Sequence, residues 1–321
     1  MPNVEAGATD GRGAARRTLA ALALALGVLS ACQGVGQQPG ADFDPLKAAD
    51  VPQNPALAEG RDSLAEGQRA LEARDYERAY KIFRKHVVID PKDEAAKLGL
   101  ARAYLGRGES HSALTVLDTL AEGGRKRPEA SVLRGLALLS QGRLTAARRQ
   151  FEEAAGKDPT LWRAWNGLGL IDDAEGKWRQ AEESYRKALE ADASAAVVHN
   201  NLGYSYLLQG KADAAAGEFG EALSHDADLD VARQNLRLAL AAKGRYVSAL
   251  AGAQKRELPK VLNNIGYMAM LRGDYAAAET YFNRAIAESP TYYDAAVQNL
   301  DRLKLLQQAD RERALQVRPG S

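Results

Sequence analysis

Small and apolar residues recur along this chain at a fixed interval of 34 residues. One series consists of alanines, at Ala79, Ala113, Ala147, Ala181, Ala215 and Ala249, with Ala278 after a shorter step. A second series consists of glycines, at Gly108, Gly142, Gly176, Gly210 and Gly244, and then Gly273. A constant period of this length is typical of one supersecondary unit repeated along the chain, and not of a single globular core.

The period divides the chain into seven repeats, whose first positions are Gly60, Glu94, Pro128, Trp162, Ala196, Asp230 and Pro259. Small residues at positions 8 and 20 allow two helices, A and B, to approach closely. The large residue at position 24 is predicted to fill the space between neighbouring repeats; it is Phe83, Leu117, Phe151, Tyr185, Phe219 and Phe282, with Ala253 in the sixth repeat. Glycine at position 15 is predicted to end helix A, and prolines such as Pro91 and Pro159 to end helix B.

Two stretches resemble the tetratricopeptide consensus closely. They are Trp165-x-x-Leu168-Gly169 with Ala181, Tyr185 and Ala188, and Asn201-Leu202-Gly203-x-x-Tyr206 with Ala215, Phe219 and Ala222. The resemblance covers residues 60–292 and implies an all-α tetratricopeptide-repeat solenoid of about seven helical hairpins. Residues 293–321 are interpreted as a capping helix and tail, because Val297, Leu300, Leu303 and Leu306 give an amphipathic pattern that can cover the last apolar edge.

Residues 1–31 have the order of a secretory leader. Arg12, Arg16 and Arg17 precede an apolar stretch of 13 residues, Leu19 to Ala31, which is shorter than the roughly 20 residues needed to span a bilayer. Cys32, the only cysteine, follows directly. Residues 32–59 are rich in glycine and proline and are predicted to form a flexible tether with an end-to-end distance of roughly 30 Å.

The Leu29-Ser30-Ala31-Cys32 sequence resembles a bacterial lipobox. The resemblance implies that Cys32 becomes the first residue of the mature protein and carries the lipid, with palmitate among its acyl chains, and Gln33 at the next position implies an outer-membrane anchor facing the periplasm. Stable anchoring needs more than one acyl chain, which a triacylated cysteine supplies. Two alternatives are simple export with an incidental cysteine and a free structural thiol.

Composition and motifs give no sign of nucleic-acid binding or of catalysis. There are 43 basic and 42 acidic residues, so no basic face for nucleic acid is expected. The four histidines have no partner at metal-ligand spacing, and no HExxH, CxxC or GxSxG motif occurs. We therefore expect no enzyme activity, metal, cofactor or small-molecule substrate.

The candidate binding surface follows from the repeat register. In tetratricopeptide arrays, positions 2, 5, 9, 12 and 13 of helix A line the inner groove. For the fifth and seventh repeats, this resemblance selects Val197, Asn200, Tyr204, Leu207, Lys260, Asn263, Tyr267 and Met270. The asparagines could bond to an extended peptide backbone; alternatively, these side chains pack against the next repeat or the C-terminal helix.

Two irregularities remain. Asp172 occupies a position that is tyrosine, leucine or alanine in other repeats, so either its helix is shifted or the acid has a partner. The sixth repeat is five residues short and has Arg237 at position 8. A long cation cannot fill a glycine-sized gap, so the helices are expected to splay or to turn Arg237 outward, with a joint near Lys255 to Pro259.

Three segments are similar to the TadD-type lipoproteins of Tad (Flp) pilus assembly. They are residues 200–208, residues 233–240 and Val261-Leu262-Asn263-Asn264-Ile265-Gly266-Tyr267. The similarity implies a periplasmic scaffold that assists assembly of the outer-membrane secretin of the pilus machine, or binds another component of it. The alternatives are an envelope scaffold for cell-wall enzymes or outer-membrane assembly, and an enzyme subunit with unrecognised chemistry.

Overall fold

The computed structural model describes residues 64–289 and 293–316, and all regular structure in these ranges is helical. The leader, Cys32, the tether and the start of the first repeat lie outside the described residues. The helices are α1 Leu64–Glu72, α2 Tyr76–Ile89, α3 Glu94–Gly106, α4 Ser110–Asp118, α5 Glu122–Arg125, α6 Pro128–Ser140, α7 Leu144–Lys157, α8 Trp162–Ala174, α9 Trp178–Ala191, α10 Ala196–Leu208, α11 Ala212–His225, α12 Asp230–Ala242, α13 Tyr246–Leu250, α14 Leu258–Leu271, α15 Tyr275–Ala287 and α16 Asp294–Gln316. They form two compact units, residues 64–194 and residues 195–316 without the gap.

The predicted register of helical hairpins is confirmed. Helix A starts at position 1 in five repeats, as α3, α6, α8, α10 and α12. The predicted glycines at position 15 all have positive φ, between 71° and 79°. This conformation has no steric penalty without a Cβ. In the first repeat Arg74 stands at the same position with φ 58°, so the turn geometry persists even where the glycine is missing.

The rings at position 24 hold neighbouring helices A at their spacing. The ring of Phe151 lies between the backbones of Gly135 and Gly167, and a Cβ built on either glycine would approach it to 2.5 Å. Phe83 lies in the same way between Gly67 and Gly99. Each ring therefore contacts position 8 of its own repeat and position 6 of the next.

The alanines at position 20 complete this contact on helix B. All seven are fully buried, from Ala79 to Ala278. The fold class, an all-α tetratricopeptide-repeat solenoid, is therefore the predicted one, because the recurring small residues face each other where helices cross.

The sixth repeat departs from this arrangement in its helix B. Helix α13 stops after five residues, Tyr246–Leu250, and turns lead to α14. With helix B shortened, α12 and α14 pack directly against each other around Val261, Ile265 and Leu238. The interruption thus lies at residues 251–257. It begins before the predicted joint at Lys255 to Pro259 and overlaps it.

Of the two expectations for Arg237, splayed helices or an outward side chain, the outward side chain is wrong. Its side chain is only 10% exposed, and its Nη1 lies 3.4 Å from Oε2 of Glu257. The physical reason is that position 24 is Ala253, which follows the end of α13, so no ring competes with the arginine for the space beside position 8.

The C-terminal helix α16 runs from Asp294 to Gln316 and packs on α15 and α14. Ala296 and Leu303 are fully buried, whereas Leu306, which the sequence placed on the same stripe, is 40% exposed. The apolar contact of α16 is therefore concentrated in its first three turns.

Replacement of Gly167 by alanine should destabilise the protein, because the new methyl group would overlap the ring of Phe151. We expect a loss of about 1–3 kcal/mol in the free energy of unfolding, typical of overpacking, measured by urea denaturation. Gly156 is the matched control: it also lies in a helix, but a Cβ there meets nothing within 4 Å. Gly156→Ala should stabilise the helix by about 0.5–1 kcal/mol, and equal effects of the two substitutions would contradict the close-contact explanation.

Candidate peptide-binding groove

The groove residues predicted from the register lie on α10 and α14, within one compact unit. Val197 is 40% exposed, Lys260 is exposed, and Tyr204, Leu207 and Tyr267 are half-buried. Burial raises the pKa of the Tyr267 phenol, while the charge of Arg302 opposes the shift. These five side chains provide apolar area, two phenols and one cation on accessible faces of helices A.

Asn200 and Asn263 have a different role from the predicted one. Both are buried, with 7% and 8% exposure. The Oδ1 of Asn200 accepts a hydrogen bond of 3.0 Å from Nδ2 of Asn235, and the Oδ1 of Asn263 accepts one of 2.9 Å from Nδ2 of Asn299. Asn200 and Asn263 both occupy position 5 of their helices A, and their partners lie on the next stacked helices, α12 and α16, so these amides hold adjacent helices together.

Met270 also packs inside the protein. It is 5% exposed and belongs to an apolar cluster with Phe282 and Leu303. Met270, Asn200 and Asn263 therefore pack against neighbouring helices, which is the alternative to binding a peptide. The groove as a binding surface stays a prediction that rests on the five accessible residues.

The sixth repeat also presents accessible groove positions that the sequence reasoning missed, among them Val231. Val231 on α12 occupies position 2 of the sixth repeat, as Val197 does in the fifth, and it is 38% exposed. The 34-residue register alone identifies Val231 as a groove position.

Asp172 has a partner, and its helix is not shifted. Helix α8 covers the same positions as the other regular helices A. The Nη2 of Arg148, on α7, donates to Oδ1 of Asp172 at 2.7 Å and to Oε2 of Glu175 at 3.1 Å. Asp172 is 4% exposed and also accepts from Ser184 Oγ at 3.4 Å, so the acid joins α7, α8 and α9.

The adjacent Asp173 is bonded to the ring at position 24. The hydroxyl of Tyr185 donates to Oδ2 of Asp173 at 2.8 Å. Burial, followed by the negative charge of Asp173, raises the pKa of the Tyr185 phenol well above its ordinary value. The two buried acids of α8 therefore serve packing contacts between the helices of their repeats.

In residues 64–289 and 293–316, no group of three or more histidine, cysteine, aspartate or glutamate side chains is arranged to hold a metal ion. Within the same ranges, no helix combines the length and the apolar composition that crossing a bilayer requires.

Comparison with known proteins agrees with this geometry. Family models described as tetratricopeptide repeat match residues 98–161, 132–171 and 166–230, and a further one matches residues 259–292. Together these ranges cover more than half of the chain. The chain belongs to the tetratricopeptide-repeat proteins. Among curated protein sequences, none matches it significantly.

Solved structures support the fold. The chain is similar to human IFIT1, solved as a dimer with PPP-AAAA, at 18% identity and a TM-score of 0.59, covering 77% of this chain and 64% of that one. It is also similar to the APC/C hetero-tetramer Cut9-Hcn1, at 17% identity and a TM-score of 0.56, covering 78% and 52%. The chain therefore spans less than two thirds of either relative. The tetratricopeptide repeats themselves indicate a protein–protein interaction scaffold.

Replacement of Asp172 by alanine should cost about 1–3 kcal/mol in the free energy of unfolding, because Arg148 would lose its closest charged partner. The measurement is chemical denaturation of both proteins at pH 7. The control is Glu183→Ala, which breaks an exposed pair with Arg179 and should change stability by less than about 0.5 kcal/mol. A comparable loss of unfolding free energy in the control would show that the buried contact stabilises the protein no more than an exposed one.

Proposed function

We propose that this protein is a lipid-anchored periplasmic scaffold that binds a protein of the Tad (Flp) pilus machine and assists assembly of its secretin. The observation that carries the proposal is the set of accessible side chains on α10, α12 and α14, presented by a scaffold fold. The proposal includes no catalytic step. Its membrane part depends on the leader and on Cys32, which lie outside the described residues.

The accessible surface fits a polypeptide ligand. Val197, Val231 and Lys260 all occupy position 2 of successive helices A, so they recur at the same point of each hairpin. Apolar groups there can bury the side chains of a partner segment, and tyrosine adds contact area with a polar tip. The similarity of residues 200–208 and 261–267 to TadD-type lipoproteins supports a pilus component as the partner.

The groove can be tested by site-specific photo-crosslinking in intact cells. A photoreactive phenylalanine analogue at Val197 or Val231 should give a crosslink to the secretin subunit, identified by mass spectrometry. The control site is Val247 on α13, which is 82% exposed and lies at no groove position. A crosslink to the secretin from Val247 and not from Val197 or Val231 would place binding on the opposite face, and capture of a cell-wall enzyme would favour the alternative scaffold role.

The anchor can be tested separately. Cys32→Ala should abolish incorporation of labelled palmitate and release the protein from the membrane fraction, because acyl burial contributes about 0.8 kcal/mol per CH₂. The matched control is Gln33→Asp, which keeps the lipidated residue and should move the protein to the inner membrane under enteric-type sorting. Unchanged outer-membrane retention of Cys32→Ala would contradict the lipid anchor.

A further inference from the structure

The groove side of the first three repeats contains an open pocket of about 410 Å³. Its lining includes residues at groove positions 2, 5 and 9 of α1, α3 and α6, within the compact unit 64–194. Leu64 and Leu98, both half-buried, and the ring of Phe83 supply apolar surface. The charged lining residues are Arg102, Arg127 and Glu129. The pocket therefore combines apolar surface with charges of both signs.

Two of these charged side chains lack an ionic partner. Among the described residues, Arg102 and Glu129 make no side-chain hydrogen bond or ion pair, although both line the same pocket. Arg127 has a long contact, 3.9 Å between its Nη1 and Oε2 of Glu94. A half-buried charge without a partner is unfavourable. A ligand that supplies the opposite charges therefore gains ion pairs at Arg102 and Glu129 without breaking any that these residues already make.

Arg163, on α8, shows that the charge of Arg102 is not neutralised. Arg163 is not part of the lining, but burial, followed by the positive charge of Arg102, lowers the pKa of its guanidinium, while Asp192 opposes the shift. A like charge has this effect when it lies close by. An acidic side chain placed beside Arg102 would relieve the repulsion between the two guanidinium groups.

One segment of this chain outside the described residues matches the charges of the pocket. Residues 42–47, in the predicted tether, read Asp-Phe-Asp-Pro-Leu-Lys. The two acids match the arginines of the pocket, the lysine matches Glu129, and the phenylalanine and leucine match the apolar lining. The match includes both signs of charge, which a uniformly acidic ligand would not provide.

The same segment is within reach of the pocket. The described residues begin at Leu64, which itself lines the pocket, and residues 48–63 connect it to Lys47. A coil of that length has an end-to-end distance of roughly 20–25 Å. A short connection of this kind gives an effective concentration of about millimolar, so a contact of modest affinity can form within one molecule.

We propose that this pocket binds residues 42–47 of the same chain. The contact is autoinhibitory, because a partner that uses this part of the groove must first displace the segment. The inference is independent of the proposed function, since the side chains that carry that proposal lie on α10, α12 and α14.

Photo-crosslinking within the full chain, purified in detergent, tests the contact. A photoreactive phenylalanine analogue replaces Phe43, and the crosslinked peptides are identified by mass spectrometry. We expect intramolecular crosslinks to peptides that contain Leu64 or Leu98. The matched control places the analogue at Val51, in the same tether but outside the segment, and should give at least about fivefold fewer crosslinks to these peptides.

Charge reversal distinguishes ion pairing from simple proximity. Arg102→Glu should lower the yield of the Phe43 crosslink by about fivefold, and adding Asp42→Lys with Asp44→Lys should restore it. Arg179→Glu is the control, because Arg179 is exposed on α9 and lies at no groove position. It should leave the yield unchanged. Circular dichroism verifies that each variant is folded.

The proposal fails if the analogue at Phe43 crosslinks no better than the one at Val51, if Arg102→Glu leaves the yield unchanged, or if the lysine substitutions do not restore it. Crosslinks between two molecules that increase with protein concentration would instead assign the pocket to a second copy of the chain. Capture of another protein in intact cells by an analogue at Leu98, without any crosslink to residues 42–47, would assign it to a partner. Either result overturns the intramolecular contact, and neither depends on the secretin.

Discussion

The contact between one buried ring and the backbones of two neighbouring helices determines the spacing of this fold. Phe83 and Phe151 each touch a glycine in their own repeat and another in the next, at distances that leave no room for a methyl group. Burying such a ring contributes about 1.5–3 kcal/mol, and each ring stabilises the hairpin and its stacking together. The 34-residue period therefore reflects the recurrence of this packing contact along the chain.

Polar side chains provide a second link between successive repeats. The pairs Asn200–Asn235 and Asn263–Asn299 repeat the same amide contact at two places, and Arg148–Asp172 joins α7 to α8. Buried amides and acids are stable only when they are hydrogen-bonded. These groups are therefore occupied in contacts between successive repeats. Recognition of a partner protein then depends on the accessible apolar, phenolic and basic side chains at other positions of helix A.

The sequence predicted the helices and their register well, because glycine and alanine requirements are local and recur at fixed positions. It did not predict the role of Asn200, because its partner lies 35 residues away on the next helix. Asn235 stands one position further along in the following repeat, so the repeat register alone could have identified the pair. An outward Arg237 follows only if helix B of the sixth repeat is intact, and the five-residue deficit of that repeat indicates that this helix is shortened.

The sixth repeat is an irregularity that does not spread to its neighbours. Beyond it, α14 resumes the register, with Phe282 against Gly266 and Asn263 bonded to Asn299. In a repeat array each unit contacts only adjacent units, so a local loss of packing is not transmitted along the chain. A shortened helix B can therefore be accommodated, with the buried Arg237 paired to Glu257, while the flanking hairpins keep their structure.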